Sequence, residues 1–285
     1  MNALPQSESR TFFGVIGRDV SQSKSPAVHN AGFAALELPY TFIAVSTDSP
    51  EAVVAEARAK GWGGLAVTMP YKEIALRLAD VTMTVDRELG AINTLVFQEQ
   101  GILGVNTDVS GIFAALDERN VTLTNKAVVV IGAGGAARAA VGAAVRSRAK
   151  NVAILARRRD RAEHFREQFA YAGIPMSACG IDDPEAPGIV MSGECVFQTT
   201  PVGGGEWIDQ TPVPAQWMGP RVVLLDVVYQ PLPTPLMKAA EAAGGTAIGG
   251  DRMFLHQACD QFRLWTNKEP PFDVMERAFY EEGRK

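Results

Sequence analysis

Between Ala127 and Ala137 the chain reads Ala-Val-Val-Val-Ile-Gly-Ala-Gly-Gly-Ala-Ala. A β-branched run this short and this apolar predicts a strand buried on both faces. The alanine-rich stretch Gly135–Arg148 predicts a helix, with only a glycine turn between the two. The turn has the spacing G-x-G-x-x-A, the dinucleotide fingerprint when it joins a strand to a helix. Gly132 permits the sharp turn, Gly134 lets the backbone approach a pyrophosphate, and Ala137 keeps helix and strand close. Gly135 and Ala136 open the helix, where unpaired N–H groups and the positive end of the dipole favour phosphate. Such a unit commits this part of the chain to a parallel sheet covered by helices.

The next strand, Asn151–Ala156, indicates the dinucleotide. A site for NAD usually carries Asp or Glu about 20 residues beyond the fingerprint, bonded to the ribose 2′-hydroxyl. Here the strand ends in Ala156-Arg157-Arg158-Arg159-Asp160-Arg161, with no carboxylate at its tip. Arg157, Arg158 and Arg161 could clamp a 2′-phosphate bidentately, which favours NADP. The competing reading is a solvated helix start, its arginines paired with acids such as Glu163.

Short apolar runs alternate with helical patterns along the whole chain, as in an α/β protein with mainly parallel sheets. Strands are expected at Phe12–Ile16, Tyr40–Val45, Leu65–Val67, Ala91–Val96, Glu194–Thr199 and Arg221–Val228. Helices are expected at Arg159–Tyr171, Pro235–Ala243, Met253–Thr266 and Phe272–Glu282. Ser25-Pro26 and Ser49-Pro50 read as N-caps before N1 prolines. A length of 285 residues suggests two domains. We expect a substrate-binding domain over 1–110 and 252–285, a dinucleotide-binding Rossmann domain over 111–251, and a cleft between them.

Composition narrows the partners. With 27 Lys plus Arg against 32 Asp plus Glu the net charge is −5, which gives no reason to expect nucleic acid. No apolar run approaches the ~18 residues that span a bilayer, and Met1–Arg10 has no apolar signal core. Cys179, Cys195 and Cys259 are odd in number and lack metal-ligand spacing, as do the scattered His29, His164 and His256. The expectation is a cytoplasmic, metal-free monomer or homodimer acting on a small molecule.

Polar clusters follow several strands of the first part. They are Ser21-Gln22-Ser23-Lys24-Ser25-Pro26 with His29-Asn30, Thr68-Met69-Pro70-Tyr71-Lys72, Gly90-Ala91-Ile92-Asn93-Thr94 and Gly104-Val105-Asn106-Thr107-Asp108. Loops at the carboxyl ends of parallel strands are where such folds bind ligands. Singly, each has a local explanation: Ser25 or Asp108 as an N-cap, Lys72 on a solvated helix face, Asn93 in a turn.

As a series they resemble the shikimate dehydrogenase family. The order S-x-S-P-x-x-H-N, V-T-x-P-x-K, G-A-x-N-T, G-x-N-T-D continues through Gly132–Ala139 and Asp226-Val227-Val228-Tyr229 to Gly250-Asp251-Arg252-Met253 and His256-Gln257-Ala258. The resemblance implies that Ser23 and Ser25 hold the substrate carboxylate, that Asn93, Asp108 and Gln257 take ring hydroxyls, and that Thr68 and Tyr229 line the same site. It implies a catalytic pair, Lys72 and Asp108, and places Thr199, Val227 and Gly250 on the cofactor side. A lysine can protonate a developing alkoxide or stabilise it by charge, and either role fits the sequence.

The chain departs from the family pattern at Gln22, Asp19, Ala66, Gln198 and the run Gly203-Gly204-Gly205. The implied activity is reversible NADP-dependent reduction of 3-dehydroshikimate to shikimate. Two alternatives stand beside it: a dehydrogenase acting on quinate or an amino analogue with NAD or NADP, and a catalytically silent ligand sensor of the same fold.

Overall fold

The computed structural model describes residues 3–7 and 9–281. The chain divides into two compact units, one of residues up to Thr107 and from Leu255, the other spanning Asp108–Phe254.

The first unit contains β1 (Thr11–Gly17), α1 (Ser25–Ala35), β2 (Tyr40–Ser46), α2 (Pro50–Ala59), β3 (Gly64–Val67), α3 (Lys72–Leu78), β4 (Val81–Thr82), α4 (Thr84–Leu89), β5 (Thr94–Gln98) and β6 (Gly101–Val105). Its strands run in the order β2-β1-β3-β5-β6-β4. β1 is parallel to β2 and β3, whereas β5 is antiparallel to both β3 and β6. The sheet is therefore mixed, but with β4 parallel to β6 its parallel pairs remain the majority, as the sequence suggests. Two strands are hidden from a sequence reading: β4 has only two residues, and the apolar run of β6 is broken by Gly101 and Gly104. The glycine at 104 answers a steric demand, since a Cβ there would lie 2.3 Å from the Ile92 side chain.

The expected N-cap at Ser25 also differs. Lys24 occupies the cap position, Ser25 is already helical, and no side chain caps the helix. Ser49 does precede α2 as its N-cap, again without a side-chain bond. One face of the sheet is closed by a core of Ile16, Val53, Val54, Leu65, Leu95 and their neighbours. Elsewhere in the unit His29, Phe33, Phe42 and Trp265 pack ring against ring.

The second unit begins with α5 (Asp108–Asp117) and continues through β7 (Ala127–Ile131), α6 (Gly135–Arg146), β8 (Asn151–Ala156), α7 (Arg159–Glu167), β9 (Met176–Gly180), α8 (Ala186–Ser192), β10 (Cys195–Gln198), β11 (Val223–Asp226), α9 (Pro235–Ala242) and β12 (Thr246–Ile248). All six strands are parallel, in the order β12-β11-β10-β7-β8-β9. This is the doubly wound arrangement, with its switch point between β7 and β10. α6 stops at Arg146 because Arg148 turns into the left-handed region at φ 53°. α7 gives way after Glu167 to a single 3-10 turn at Ala170–Ala172. β9 and β12, the two edge strands, are the ones the apolar pattern does not reveal.

α10 (Gly250–Thr266) starts in the second unit and returns the chain to the first, where α11 (Phe272–Glu281) lies along α1. There Lys24 Nζ donates to the Phe279 carbonyl at 2.7 Å. The expected helix end at Glu282 lies outside the described residues. Among those residues no helix is long and apolar enough to cross a membrane.

Candidate active site

In the first unit the polar clusters sit at strand ends. β1 ends at Gly17, Ser23 follows in the turn into α1, and Ser25 is the first residue of that helix. Ser23 Oγ donates to Ser25 Oγ at 3.2 Å, and the Ser25 N–H donates back to Ser23 Oγ at 3.3 Å. Ser25 is buried and Ser23 half-buried. The pair stands at the N-terminal end of an 11-residue helix, so hydroxyl donors and the helix dipole favour the same charge, a carboxylate or another anion.

β3 ends at Val67 and hands the chain to Thr68, whose N–H donates to the Ile16 carbonyl at 2.9 Å. The turn contains a cis Met69-Pro70 bond and is anchored by Tyr71, whose hydroxyl donates to the Thr47 carbonyl at 2.6 Å. Lys72 follows as the first residue of α3, half-buried, with its own carbonyl accepting the Ile92 N–H at 3.0 Å. Its backbone is thus tied at once to the Thr68 turn and to the segment leading into Asn93.

Asn93 stands one residue before β5, 3% exposed, in a buried network rather than an ordinary turn. Its Oδ1 accepts the Thr107 N–H at 2.8 Å and the Thr94 hydroxyl at 2.9 Å. Its Nδ2 donates to Thr107 Oγ1 at 3.0 Å and to Gln257 Oε1 at 3.2 Å. Gln257 comes from α10, so this contact joins residues far apart in the chain. The neighbouring Asn106 donates to the Ala91 carbonyl at 2.8 Å, and its N–H is held by Asp86 at 3.1 Å. Sequence reasoning singles out Asn93 and Gln257 but gives no role to Thr94, Thr107 or Gln261. The available signal was Gln257 and Gln261, four residues apart and therefore on one face of α10.

In the second unit Asp108 opens α5 and is 4% exposed. The fingerprint turn follows β7. Gly132 adopts φ 124°, and a Cβ there would lie 2.4 Å from Thr199 Oγ1. Gly134 is exposed, and a Cβ there would meet nothing within 4 Å. The space a side chain would fill is thus open in front of the first N–H groups of the 12-residue helix α6, begun by Gly135 and Ala136. These residues fit a dinucleotide pyrophosphate.

Arg157, Arg158 and Arg161 are all exposed at the end of β8 and the start of α7. Arg158 forks onto Asp160, with Nε–Oδ1 at 3.1 Å and Nη2–Oδ2 at 2.8 Å. Arg157 and Arg161 make no ion pair among the described residues, which leaves them as the stronger candidates for a 2′-phosphate. Arg159 has a structural role: it binds Asp183 at 2.8 Å and also Glu185, and these carboxylates hold its charge in place.

Thr199 is occupied internally, its hydroxyl donating to the Ile131 carbonyl at 2.7 Å so that β10 is tied to β7 beside Gly132. Gln198, one of the departures from the family pattern, is fully buried and fully satisfied. Its Nε2 donates to the Thr200 and Val202 carbonyls, and its Oε1 accepts the Thr200 N–H and hydroxyl. It pins the turn ahead of the glycine run.

Val227 leaves β11 with its N–H on the Gln198 carbonyl at 2.9 Å, and Gly250 donates to the Val228 carbonyl at 3.2 Å. Gly250 admits no side chain, because a Cβ would lie 2.3 Å from the Val227 carbonyl oxygen. Tyr229 rests on Phe254 with centroids 5.2 Å apart, and burial pushes its phenol pKa up. Asp226, which precedes these residues, is completely buried. It accepts the Thr234 hydroxyl at 2.7 Å and the Val228 N–H at 3.0 Å, yet burial still pushes its pKa up to about 7.

Three family models match the chain in succession. They are the shikimate dehydrogenase substrate binding domain over residues 15–95, shikimate / quinate 5-dehydrogenase over 115–200, and the shikimate 5′-dehydrogenase C-terminal domain over 252–278. A shikimate dehydrogenase (NADP(+)) of Methanocella arvoryzae is 38% identical over 274 residues, 94% of this chain and 97% of that relative. Among solved structures, shikimate 5-dehydrogenase from Thermus thermophilus in complex with NADP(H) and shikimate superposes with a TM-score of 0.82 at 30% identity, covering 95% of this chain and 98% of that one. Quinate dehydrogenase from Corynebacterium glutamicum in complex with NAD gives 0.85 at 29% identity, covering 95% and 99%.

Proposed function

The chain belongs to the shikimate dehydrogenase family, and we propose that it catalyses the reversible NADP-dependent reduction of 3-dehydroshikimate to shikimate. The observation that carries the choice of substrate class is the Ser23–Ser25 hydroxyl pair at the head of α1, 3.2 Å apart and suited to a carboxylate. Asn93 and Gln257, linked at 3.2 Å, supply the amides for ring hydroxyls, with Thr68 and Tyr229 as further contacts. Together they describe a carboxylated polyol, and two small serines suit a flat ring.

Gly132, Gly134, Gly135 and Ala136 would hold the pyrophosphate of the cofactor, and Arg157 with Arg161 would read its 2′-phosphate. Arg158, Thr199, Val227 and Gly250 complete that side of the site. When bound, the cofactor supplies or accepts the hydride at its nicotinamide C4. The remaining work falls to the chain. In reduction, negative charge grows on the carbonyl oxygen as the hydride arrives, and Lys72 Nζ delivers a proton there. In oxidation the same nitrogen takes the hydroxyl proton, and Asp108 is its partner in fixing that hydroxyl.

The test is nicotinamide absorbance with purified protein, crossing shikimate and quinate against NADP and NAD. The expected result is fast turnover with shikimate and NADP alone. Preference for quinate or NAD would overturn the specificity, and no turnover with any pair would favour a ligand sensor.

A further inference from the structure

The network around Asn93 has a direction. A backbone N–H can only donate, so the Thr107 N–H at 2.8 Å fixes the Asn93 amide with its oxygen toward Thr107. Gln261 Nε2 donates to Thr94 Oγ1 at 3.0 Å, which leaves the single Thr94 proton for Asn93 Oδ1 at 2.9 Å. Both lone pairs of Asn93 Oδ1 are then taken. The Thr107 hydroxyl lies 3.2 Å from that oxygen and 3.3 Å from Gln257 Oε1, and with that oxygen filled it is placed to donate to Gln257. Gln257 Oε1 thus receives two donors, Thr107 Oγ1 and Asn93 Nδ2, and its Nε2 is the end left to face a ligand.

Each step depends on the way the Gln261 carboxamide is turned. With Gln261 reversed, Thr94 would donate to Gln261 and a lone pair on Asn93 Oδ1 would open. Thr107 would turn to it, and Gln257 would lose one of its two anchors. At the inner end of this chain Gln261 Oε1 and both ring nitrogens of His29 are buried without hydrogen-bond partners. Leaving such groups unmatched is costly, and each has what the other lacks. The imidazole lies flat on Phe42, with centroids 4.4 Å apart, and Trp265 lies 5.3 Å away. The ring is neutral, its pKa pushed down to about 3 by burial against a smaller opposing effect of the Gln261 side chain. A neutral imidazole carries one N–H.

We propose that His29 is a positioning residue: its ring N–H fixes the Gln261 carboxamide and, through Thr94, Asn93 and Thr107, directs the Gln257 amide N–H toward shikimate. This rests on the reading of Gln257 as a shikimate contact.

The variants H29F, which keeps the ring packing, and Q261M, which keeps the length, test it. Each is expected to raise KM for shikimate roughly 2- to 10-fold, the worth of one hydrogen bond, while KM for NADP stays unchanged. The double variant is expected to be no worse than either single one, because both act through one carboxamide. Additive losses, or equal losses for NADP, would overturn the proposal. Nitrogen-15 NMR of the wild-type protein gives a second reading independent of activity. The expected result is a single neutral His29 tautomer that becomes averaged in Q261M. An averaged tautomer already in the wild type would overturn the relay. Absence of shikimate turnover in the wild type would instead defeat the functional reading and leave the NMR result to decide on His29.

Discussion

A side-chain carbon on Gly132 would sit 2.4 Å from Thr199 Oγ1, whereas one on Gly134, two residues later, would touch nothing within 4 Å. The two glycines therefore serve different ends. Gly132→Ala combines a clash with a φ of 124°, and we expect it to cost roughly 1–3 kcal/mol of stability. Gly134 has φ −116°, which alanine adopts freely. Gly134→Ala should melt within about 2 °C of the wild type and still raise KM for NADP about tenfold or more, by filling the space of a pyrophosphate. Thermal denaturation beside cofactor titration separates the two. A destabilised Gly134→Ala would remove the distinction.

Lys72→Ala should lower kcat by about 10²- to 10⁴-fold, the usual worth of a positioned acid or base. KM for shikimate should change much less. Steady-state kinetics in both directions checks this, and near-normal turnover would take Lys72 out of the mechanism.

The arginines at the end of β8 should not be equivalent. Replacing Arg157 or Arg161 by Gln is expected to raise KM for NADP roughly tenfold, the loss of a charge-assisted contact, with little effect on NAD. Arg158 is already forked onto Asp160 at 2.8 Å and 3.1 Å, so its replacement should matter less. Equal effects with NAD and NADP would dissociate these residues from the 2′-phosphate.

Asp226 should leave a pH signature. Its folded pKa of about 7 lies above the value of an unfolded aspartate, so the folded chain binds the extra proton between about pH 4 and pH 7. Its contribution is thus fully favourable below pH 4 and is lost as pH rises toward 7, by ~4 kcal/mol at 1.36 kcal/mol per unit. The stability of Asp226→Asn minus that of the wild type should therefore increase across this window. Denaturant titrations at pH 4.5, 6 and 8 measure it, and a flat difference would mean that Asp226 titrates normally.

What the sequence made legible follows from how each feature is encoded. The fingerprint was readable because Val128–Ile131, the glycines and the alanines are contiguous and each spacing has a steric reason. β6 and β9 were not, since Gly101 and Gly104 interrupt one and only part of the other is buried. Asn93 and Gln257 were recognisable as motif members, but their partners were not. Thr94, Thr107 and Gln261 are ordinary polar residues in apolar surroundings, and only tertiary contact shows that their hydrogen bonds run in one direction. The Arg157–Arg161 run was visible as charge, while the division between paired and unpaired guanidiniums depended on where Asp160, Asp183 and Glu185 came to lie.

Asn93 and Gln257 touch across 164 residues of chain, and every strand of the second unit is encoded between them. At roughly 5–20 residues per second a ribosome needs on the order of ten to thirty seconds to make that interval. Throughout it the amide network of the first unit lacks α10, and the parallel sheet of the second unit is finished only at Ile248, nine residues before Gln257. The nucleotide fold and the polar surface on which the substrate depends are therefore completed almost together, and Asn93 waits for its partner until the whole second unit has been made.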